Sequence, residues 1–538
     1  MGFAPAPDAR HPMNEARQLL KSAGVIGGAT MLSRVLGFVR DMVVARAFGA
    51  SHVADAFYVA YRIPSLLREL FAEGSMSAAF VPVFTQTLTT ESREEARRLA
   101  RAAFSLILVI VTTMTVLGIA LAPWLVAVIA PGFGDDPGKA ALTTDLTRIM
   151  FPYLLWISLA ALAMGMLNSV RAFAAPALSP ALFNLAIIAA VLLLAPFLDE
   201  PVLAVACGVF IGGLAQLLVQ LPSLRRTDLA LGWLWQPSHP GLRRMGLLLI
   251  PTLVGLSVSQ VNIFINTLLA SYLAQGSVTY LYYAMRLVQF PLGVFGVALS
   301  TALLPTLSTH AAKQDATGLR ETMAFGLRLI MFITIPAMIG LIALRTPIIH
   351  VLFQHGKFEA ADTVGTASAV LGYTVGLWAF AGVRVVAPVF YARQDTKTPV
   401  IVAAASVMVN IGLSLVLMGP FGHGGLALAT AVASCVNFVV LLVVLRRGLG
   451  PFGGRALARS AALAVLASAP AGLIGWGMSG LAIWDTAGAW TMKMALLSAA
   501  IAGSAAAYGA LHALWRTEEA RAVWDLVKRR RARATPPS

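Results

Sequence analysis

Ser33-Arg34-Val35-Leu36-Gly37-Phe38-Val39-Arg40-Asp41 sits inside an apolar stretch that runs over residues 22–48. By length the stretch suffices for a bilayer crossing, which needs about 20 apolar residues. Yet it holds Arg34, Arg40, Asp41 and Arg46. An ionisable group inside a span costs roughly 2.5–3.5 kcal/mol on insertion scales, so it must face a cavity or a partner. The surrounding chain decides how to read it. Of 538 residues, 58% are hydrophobic and 12% are charged, and the mean hydropathy is +0.79. Soluble domains carry about 25% charged residues. This chain has too few to cover a water-facing surface, so the expected class is an all-α polytopic membrane protein.

Outward from the first span, further spans are expected at 53–88, 103–129, 143–170, 177–198, 202–224, 246–273, 277–308, 322–344, 363–391, 398–418, 424–445, 457–482 and 488–515, about 14 transmembrane helices in all. The second is expected to be broken, because Pro64 and Pro82 interrupt it and Glu69 and Glu73 lie between them. Proline in a span is tolerated where neighbours or water satisfy the freed backbone groups. Residues 1–20 have no apolar core of the kind a cleavable signal peptide needs. Cys207 and Cys435 stand alone in apolar runs and read as small buried hydrophobes.

The formal net charge is +16, from 40 Lys and Arg against 24 Asp and Glu. Lys and Arg concentrate in cytoplasmic loops of membrane proteins. With the N-terminus inside, 28 of them fall on one side, against Lys139, Arg345 and Lys357 on the other. Both termini are therefore expected in the cytoplasm, and no nucleic-acid partner is expected. The basic tail 516–533 reads as a topology signal and a lipid-headgroup contact. His350, His355 and His423 fall on predicted outer connections and are expected to be solvated. Arg148 and Lys493 lie near span ends and can snorkel. Seven arginines remain within spans: Arg34, Arg40, Arg46, Arg62, Arg68, Arg286 and Arg384.

A weak internal repeat accompanies them. Tyr58-Val59-Ala60-Tyr61-Arg62 matches Tyr282-Tyr283-Ala284-Met285-Arg286, Phe71 falls on Phe295, Ala78 on Ala302, Asn184 on Asn410, Pro196 on Pro420 and Arg225-Arg226 on Arg446-Arg447. The repeat holds six spans, an even number, so the two lobes would be related by a pseudo-two-fold along the membrane normal. The expected divisions are a cytoplasmic segment 1–21, an N-lobe 22–226, a linker 227–245, a C-lobe 246–447, two extra helices over 448–515 and a cytoplasmic tail 516–538. The substrate site of such transporters lies between the halves near the midplane.

Within the first span Arg34 and Asp41, seven apart, share a helix face, and Arg40 lies well round from it. In the second, Asp55, Arg62, Glu69 and Glu73 follow at seven, seven and four, one stripe if the helix continues past Pro64. Arg68 adds a cation beside that stripe. The acids would hold the arginines in place and leave an excess of cations. Such an excess in a cavity would seek an anion, and the planar guanidinium binds phosphate or carboxylate bidentately. Arg286 shares a face with Gln289, Phe290 and Gly293 and would meet the first-half cluster across the central axis. For Arg384 a structural role stands beside a functional one. Gly24, Gly27 and Gly28 would allow close helix packing. No P-loop, H-E-x-x-H or G-x-S-x-G motif occurs, so neither an ATP motor nor an enzyme of those kinds is expected.

The run 33–41, with Asp55-Ala56-Phe57, Phe71-Ala72-Glu73-Gly74, Phe80-Val81-Pro82, Gln260 with Asn266, and Phe290-Pro291, resembles the MurJ (MviN) family of bacterial lipid II flippases. So do Leu352-Phe353-Gln354, Gly356-Lys357-Phe358, Phe390-Tyr391, Arg393-Gln394-Asp395 and Lys397-Thr398-Pro399. The resemblance covers nearly the whole chain. It implies the fold of the multidrug/oligosaccharidyl-lipid/polysaccharide exporter superfamily, with two six-helix lobes and two further helices that form a groove for a polyprenyl tail. The implied substrate is lipid II, moved from the inner to the outer leaflet for peptidoglycan synthesis. The implied location is the bacterial inner membrane. Implied partners are membrane lipids and cell-wall synthesis proteins. The family's cavity arginines map onto Arg34, Arg40 and Arg286, with Asp41, Asp55, Arg68 and Glu73 nearby. The residue before Arg286, acidic in many relatives, is Met285, and the acidic pair that would mark a sodium site between the seventh and eleventh spans is missing. No cofactor is expected, and the driving force would be membrane potential or an ion gradient. Alternatives are a flippase for another polyprenyl-linked sugar, a multidrug antiporter, whose cavity should be acidic, and a non-transporting scaffold.

Overall fold

The computed structural model describes residues 11–70, 74–485, 488–522 and 524–525. Glu73 and Phe71 lie outside the described residues, as do residues 1–10 of the N-terminal segment and 526–538 of the basic tail. The described residues contain helices and no strand. The helices are α1 (His11–Phe48), α2 (His52–Arg68), α3 (Gly74–Thr90), α4 (Arg93–Ala120), α5 (Ala122–Ile129), α6 (Pro137–Met150), α7 (Tyr153–Ser169), α8 (Ala174–Leu193), α9 (Leu203–Leu218) and α10 (Leu221–Arg226). They continue with α11 (Pro240–Ser271), α12 (Ser277–Pro291), α13 (Val297–Ala312), α14 (Ala316–Phe353), α15 (Ala360–Thr374), α16 (Leu377–Ala392), α17 (Lys397–Leu449), α18 (Gly454–Ala467), α19 (Ala469–Ser479) and α20 (Trp490–Leu514).

Every expected span coincides with a helix or a broken helix pair. Among the described residues, nine helical segments are long and apolar enough to cross a membrane, and eleven if two bent pairs each count as one span. The difference from fourteen has three physical sources. α17 is two helices that meet at a kink at Gly422, with φ 54 and ψ −135, so one segment covers two expected spans. α1 carries the charges of the opening stretch. The second expected span is split into α2 and α3, each 17 residues long. Pro64 does not end α2, which continues to Arg68.

Helix ends are set by short polar residues that accept otherwise orphaned N–H groups. Ser92 opens α4 by accepting from the Glu95 N–H, and Asp136 opens α6 by accepting from Lys139. Asp315 accepts from Gly318 at 2.9 Å and opens α14. The Gly318 N–H, with His310 beside it, holds the Asp315 carboxyl below the usual carboxylate range. Asp395 accepts from the Thr398 N–H at 3.0 Å at the start of α17, and the Thr398 hydrogen bonds lower its pKa in the same way.

Packing divides the chain into two compact units, Met1–Phe48 with His52–Gln260 and Gly49–Ser51 with Val261–Ser538. In the first, α8 is the central element, packed on both α1 and α9, while α2 lies on α6. In the second, α17 packs on α15 and α16, and α14 packs on α16, α18 and α19. Glycines mediate the closest approaches: the Gly372 Cα faces Gly424 and Ala427, where an added Cβ would come within 2.7 Å of the Gly424 carbonyl oxygen. Gly24, Gly27 and Gly28 do not play this part, for a Cβ on any of them would meet nothing within 4 Å.

The two units repeat local features at the spacing read from the sequence. π-Helical turns fall at 69–70, after α2, and at Leu292–Gly296, between α12 and α13. Asn184 of α8 is buried and donates to the Ser33 carbonyl of α1 at 3.1 Å. Its counterpart Asn410 of α17 is buried and donates to Asn262 and Asn266 of α11, at 2.7 and 2.9 Å.

Candidate functional site

α1 presents its charges in two different states. Arg40 is 7% exposed and Asp41 2%. The Arg40 Nη2 and Nε donate to Asp41 Oδ1 at 2.6 and 3.1 Å, and Nη1 donates to Asn184 Oδ1 at 3.2 Å. Helical spacing put Asp41 on the face of Arg34, but the carboxylate pairs with its chain neighbour. The long guanidinium stem reaches round the helix where the i, i+7 distance is too great. Arg34, in contrast, is exposed and forms no ion pair or hydrogen bond among the described residues.

The stripe on α2 is likewise divided. Asp55 is 1% exposed and accepts from the Lys139 ammonium at 3.1 Å. Lys139 also stands over the Phe133 ring, 3.9 Å from its centroid. Lys139 was expected on a connection of the cation-poor side. It is the counter-ion of a buried acid, because α6 packs on α2 and carries the lysine in from the side. Arg62 and Arg68 are half-buried. Arg68 lies 3.8 Å from Glu69, and the other Glu69 oxygen accepts a short hydrogen bond from Gln260 Nε2. The stripe is thus held by partners from α6 and α11, as well as by its own arginine–carboxylate spacing.

In the second unit Arg286 is half-buried and its guanidinium lies 5.7 Å from the Tyr282 ring, one turn earlier on α12. Gln289 and Phe290, on the same side of α12, are exposed. Arg384 is exposed at its end, while its Cδ lies 3.3 Å from where a Cβ on Gly296 would stand. The stem therefore rests on the π turn between α12 and α13. Asn266 donates on to Thr430 at 3.1 Å, so Asn262, Asn266, Asn410 and Thr430 form a neutral network where α11 meets α17.

Two groups placed near water by the sequence are buried. His350 and Lys493 lie 2.9 Å apart. His350 also bonds Gln354 at 2.8 Å, and Trp484 packs edge-on to its ring. His423 bonds the Gly365 carbonyl at 2.8 Å, and His355 bonds the Val351 carbonyl at 3.1 Å. His350 lies within α14 and Lys493 within α20, and these two helices pack together, which hydropathy alone does not reveal. Asn184 and Lys139 were not singled out as site residues. The signals available for Asn184 were a lone amide in the apolar run 177–198 and its repeat match to Asn410.

Cations carried on apolar helices, with Arg34, Arg46 and Arg384 exposed and Arg40, Arg68 and Arg286 beside an acid, an amide or an aromatic ring, within two units that repeat a helix pattern, are what a helical membrane transporter would carry. The fold agrees. A solved multidrug resistance MATE family transporter of the MOP superfamily, in an inward-facing conformation, aligns with a TM-score of 0.69 over 81% of this chain and 99% of its own, at 14% identity. A solved structure described as lipid II flippase MurJ, inward closed conformation, aligns with a TM-score of 0.76 over 91% of this chain and 99% of its own, at 26% identity.

Residues 44–495 match the family described as lipid II flippase MurJ. A probable lipid II flippase MurJ of Vibrio cholerae is 38% identical over 88% of this chain and 91% of its own length. The lipid II flippase MurJ of Burkholderia cenocepacia is 40% identical over 81% and 84%. The chain belongs to the MurJ family.

Proposed function

We propose that this chain is a flippase that carries lipid II from the inner to the outer leaflet of the bacterial inner membrane by alternating access. Its relatives bear that name, and the chemistry of the α1 arginines suits the task. A bilayer resists a pyrophosphate and sugars far more than a prenyl chain. Anchoring a charged headgroup inside the membrane calls for cations whose cost is met by protein partners or by the headgroup itself.

The observation that carries the reading is Arg34, exposed and without a partner among the described residues, two turns from a fully held Arg40. In this reading Arg34, Arg62, Arg68 and Arg286 receive the pyrophosphate. Arg40, tied to Asp41 and Asn184, fixes the rotation of α1 and so where Arg34 stands. Asp41, Asp55, Glu69 and Glu73 keep the cations in place. α18, α19 and α20 supply the apolar surface for the prenyl tail. Both termini lie in the cytoplasm. The driving force is membrane potential or an ion gradient, and proteins of cell-wall synthesis take up the product.

Arg34→Ala tests this directly. The variant is expected to insert and fold with stability within about 0.5 kcal/mol of the parent, as for exposed substitutions generally. In cells depleted of the parent it should leave lipid II on the inner leaflet. Normal outer-leaflet lipid II would refute the role of Arg34. Accumulation of a different polyprenyl-linked precursor alone would refute the substrate.

A further inference from the structure

A second cationic feature is built from elements other than α1 and α12. Between the first three turns of α14 and the α17–α18 connection is a cleft of about 340 Å³. That size lies within the range of small-ligand pockets, roughly 300–1,000 Å³. Gly450 and Gly453, with φ of 85° and 74°, turn the connection sharply and bring Phe452 onto one wall.

The opposite wall carries Arg320 and Arg328. They differ in their partners. Arg328 is committed: its Nη1 donates to Glu518 at 2.7 Å, and its Nε lies 3.9 Å from Glu519. Arg320 is aimed by its own helix, with Nε on the Ala316 carbonyl and Nη2 on the Thr317 hydroxyl, both at 3.1 Å. No acid pairs with it among the described residues. Glu321 is the one acid on the wall. Along the chain the lining segment is flanked by Arg446 and Arg447 at the end of α17 and by Arg455 and Arg459 on α18, all exposed. Phe452 and Leu457 make the remaining surface apolar. A pre-oriented guanidinium beside an apolar wall suits an anion that continues into hydrocarbon. Basic pockets between helices at the membrane edge hold lipid headgroups in this way.

We propose that this cleft binds a phosphate-bearing anion, with Arg320 on the phosphate and Phe452 and Leu457 on its apolar continuation. An anionic phospholipid and a soluble phosphate ester share that chemistry. The proposal does not depend on the identity of the transported substrate.

The test is native mass spectrometry of the purified full chain after exposure to phosphatidylglycerol, phosphatidylcholine and, separately, inorganic phosphate. The parent is expected to retain phosphatidylglycerol about tenfold over phosphatidylcholine, as one charge-assisted hydrogen bond allows. Arg320→Gln should abolish that preference. Phe452→Ser should weaken lipid retention and leave phosphate binding intact. Binding of inorganic phosphate but not phosphatidylglycerol, lost in Arg320→Gln, assigns the cleft to soluble esters. Arg225→Gln, an equal loss of charge elsewhere, serves as the control. The proposal is overturned if the parent binds neither probe, if Arg320→Gln retains phosphatidylglycerol within twofold of the parent, or if Arg225→Gln loses as much.

Discussion

Lys139 closes on Asp55 with its stem in the protein and Phe133 beneath its ammonium. The pair is a buried ion pair, and its energetics follow from that. Removing one partner of such a pair costs about 3–5 kcal/mol, because the other charge stays buried, whereas replacing both by apolar groups of similar size is often close to neutral. Lys139→Ala is therefore expected to lower stability by about 3 kcal/mol. Asp55→Leu with Lys139→Met should recover most of the loss. A double-mutant cycle on thermal unfolding reads the coupling. Additive effects would mean that the two side chains act independently, against the geometry. Arg34 belongs at the other extreme. It has no folded-state partner to lose among the described residues, so its substitution should appear in transport and not in stability.

At the scale of elements, α8 and α17 each bring one buried amide against a neighbouring helix, Asn184 onto α1 and Asn410 onto α11. Interhelical hydrogen bonds within membranes contribute about 0.6 kcal/mol on average and up to about 1.7. Asn410→Leu breaks two of them and leaves the Asn262 and Asn266 carbonyls without their donor. A loss of about 1–2 kcal/mol is expected on that basis. Asn184→Leu should cost a similar amount, since it removes both a bond to Ser33 and an acceptor of Arg40. Unchanged thermal unfolding in both variants would show that the paired amides do not hold the helices. The elements themselves were legible, because apolar runs, prolines and capping residues act locally. The repeat was legible too, down to the Asn184–Asn410 match. The partners of the charges were not. Whether Asp41 meets Arg34 or Arg40, and whether Lys139 meets water or Asp55, depends on helix rotation and on which helix packs alongside. Neither is encoded in spacing along one helix. The π turns at 69–70 and Leu292–Gly296 were not read from the sequence.

For the whole molecule, the imbalance of Lys and Arg between the two sets of connections makes a prediction that packing does not. If the excess marks the cytoplasmic side, exposed positions sort by side regardless of how the units move. Arg226, Lys313, Asp199 and Lys357 are all exposed, the first two on the cation-rich connections and the other two on the cation-poor ones. Cys207 and Cys435 are free thiols and must first be replaced by alanine. In that background, single cysteines at Asp199 and Lys357 are expected to react with a membrane-impermeant maleimide added to intact cells. Cysteines at Arg226 and Lys313 should react only after lysis. Lys357 is the sharper test, because it is itself a cation on the side that should be poor in them. Labelling of Arg226→Cys from outside would invert the orientation. It would also move the Arg320 cleft to the outer leaflet, where it would meet a different set of phosphate-bearing lipids. A split result, with Asp199→Cys labelled outside and Lys357→Cys inside, would require an odd number of crossings between them and would overturn the four spans expected there, 202–224, 246–273, 277–308 and 322–344.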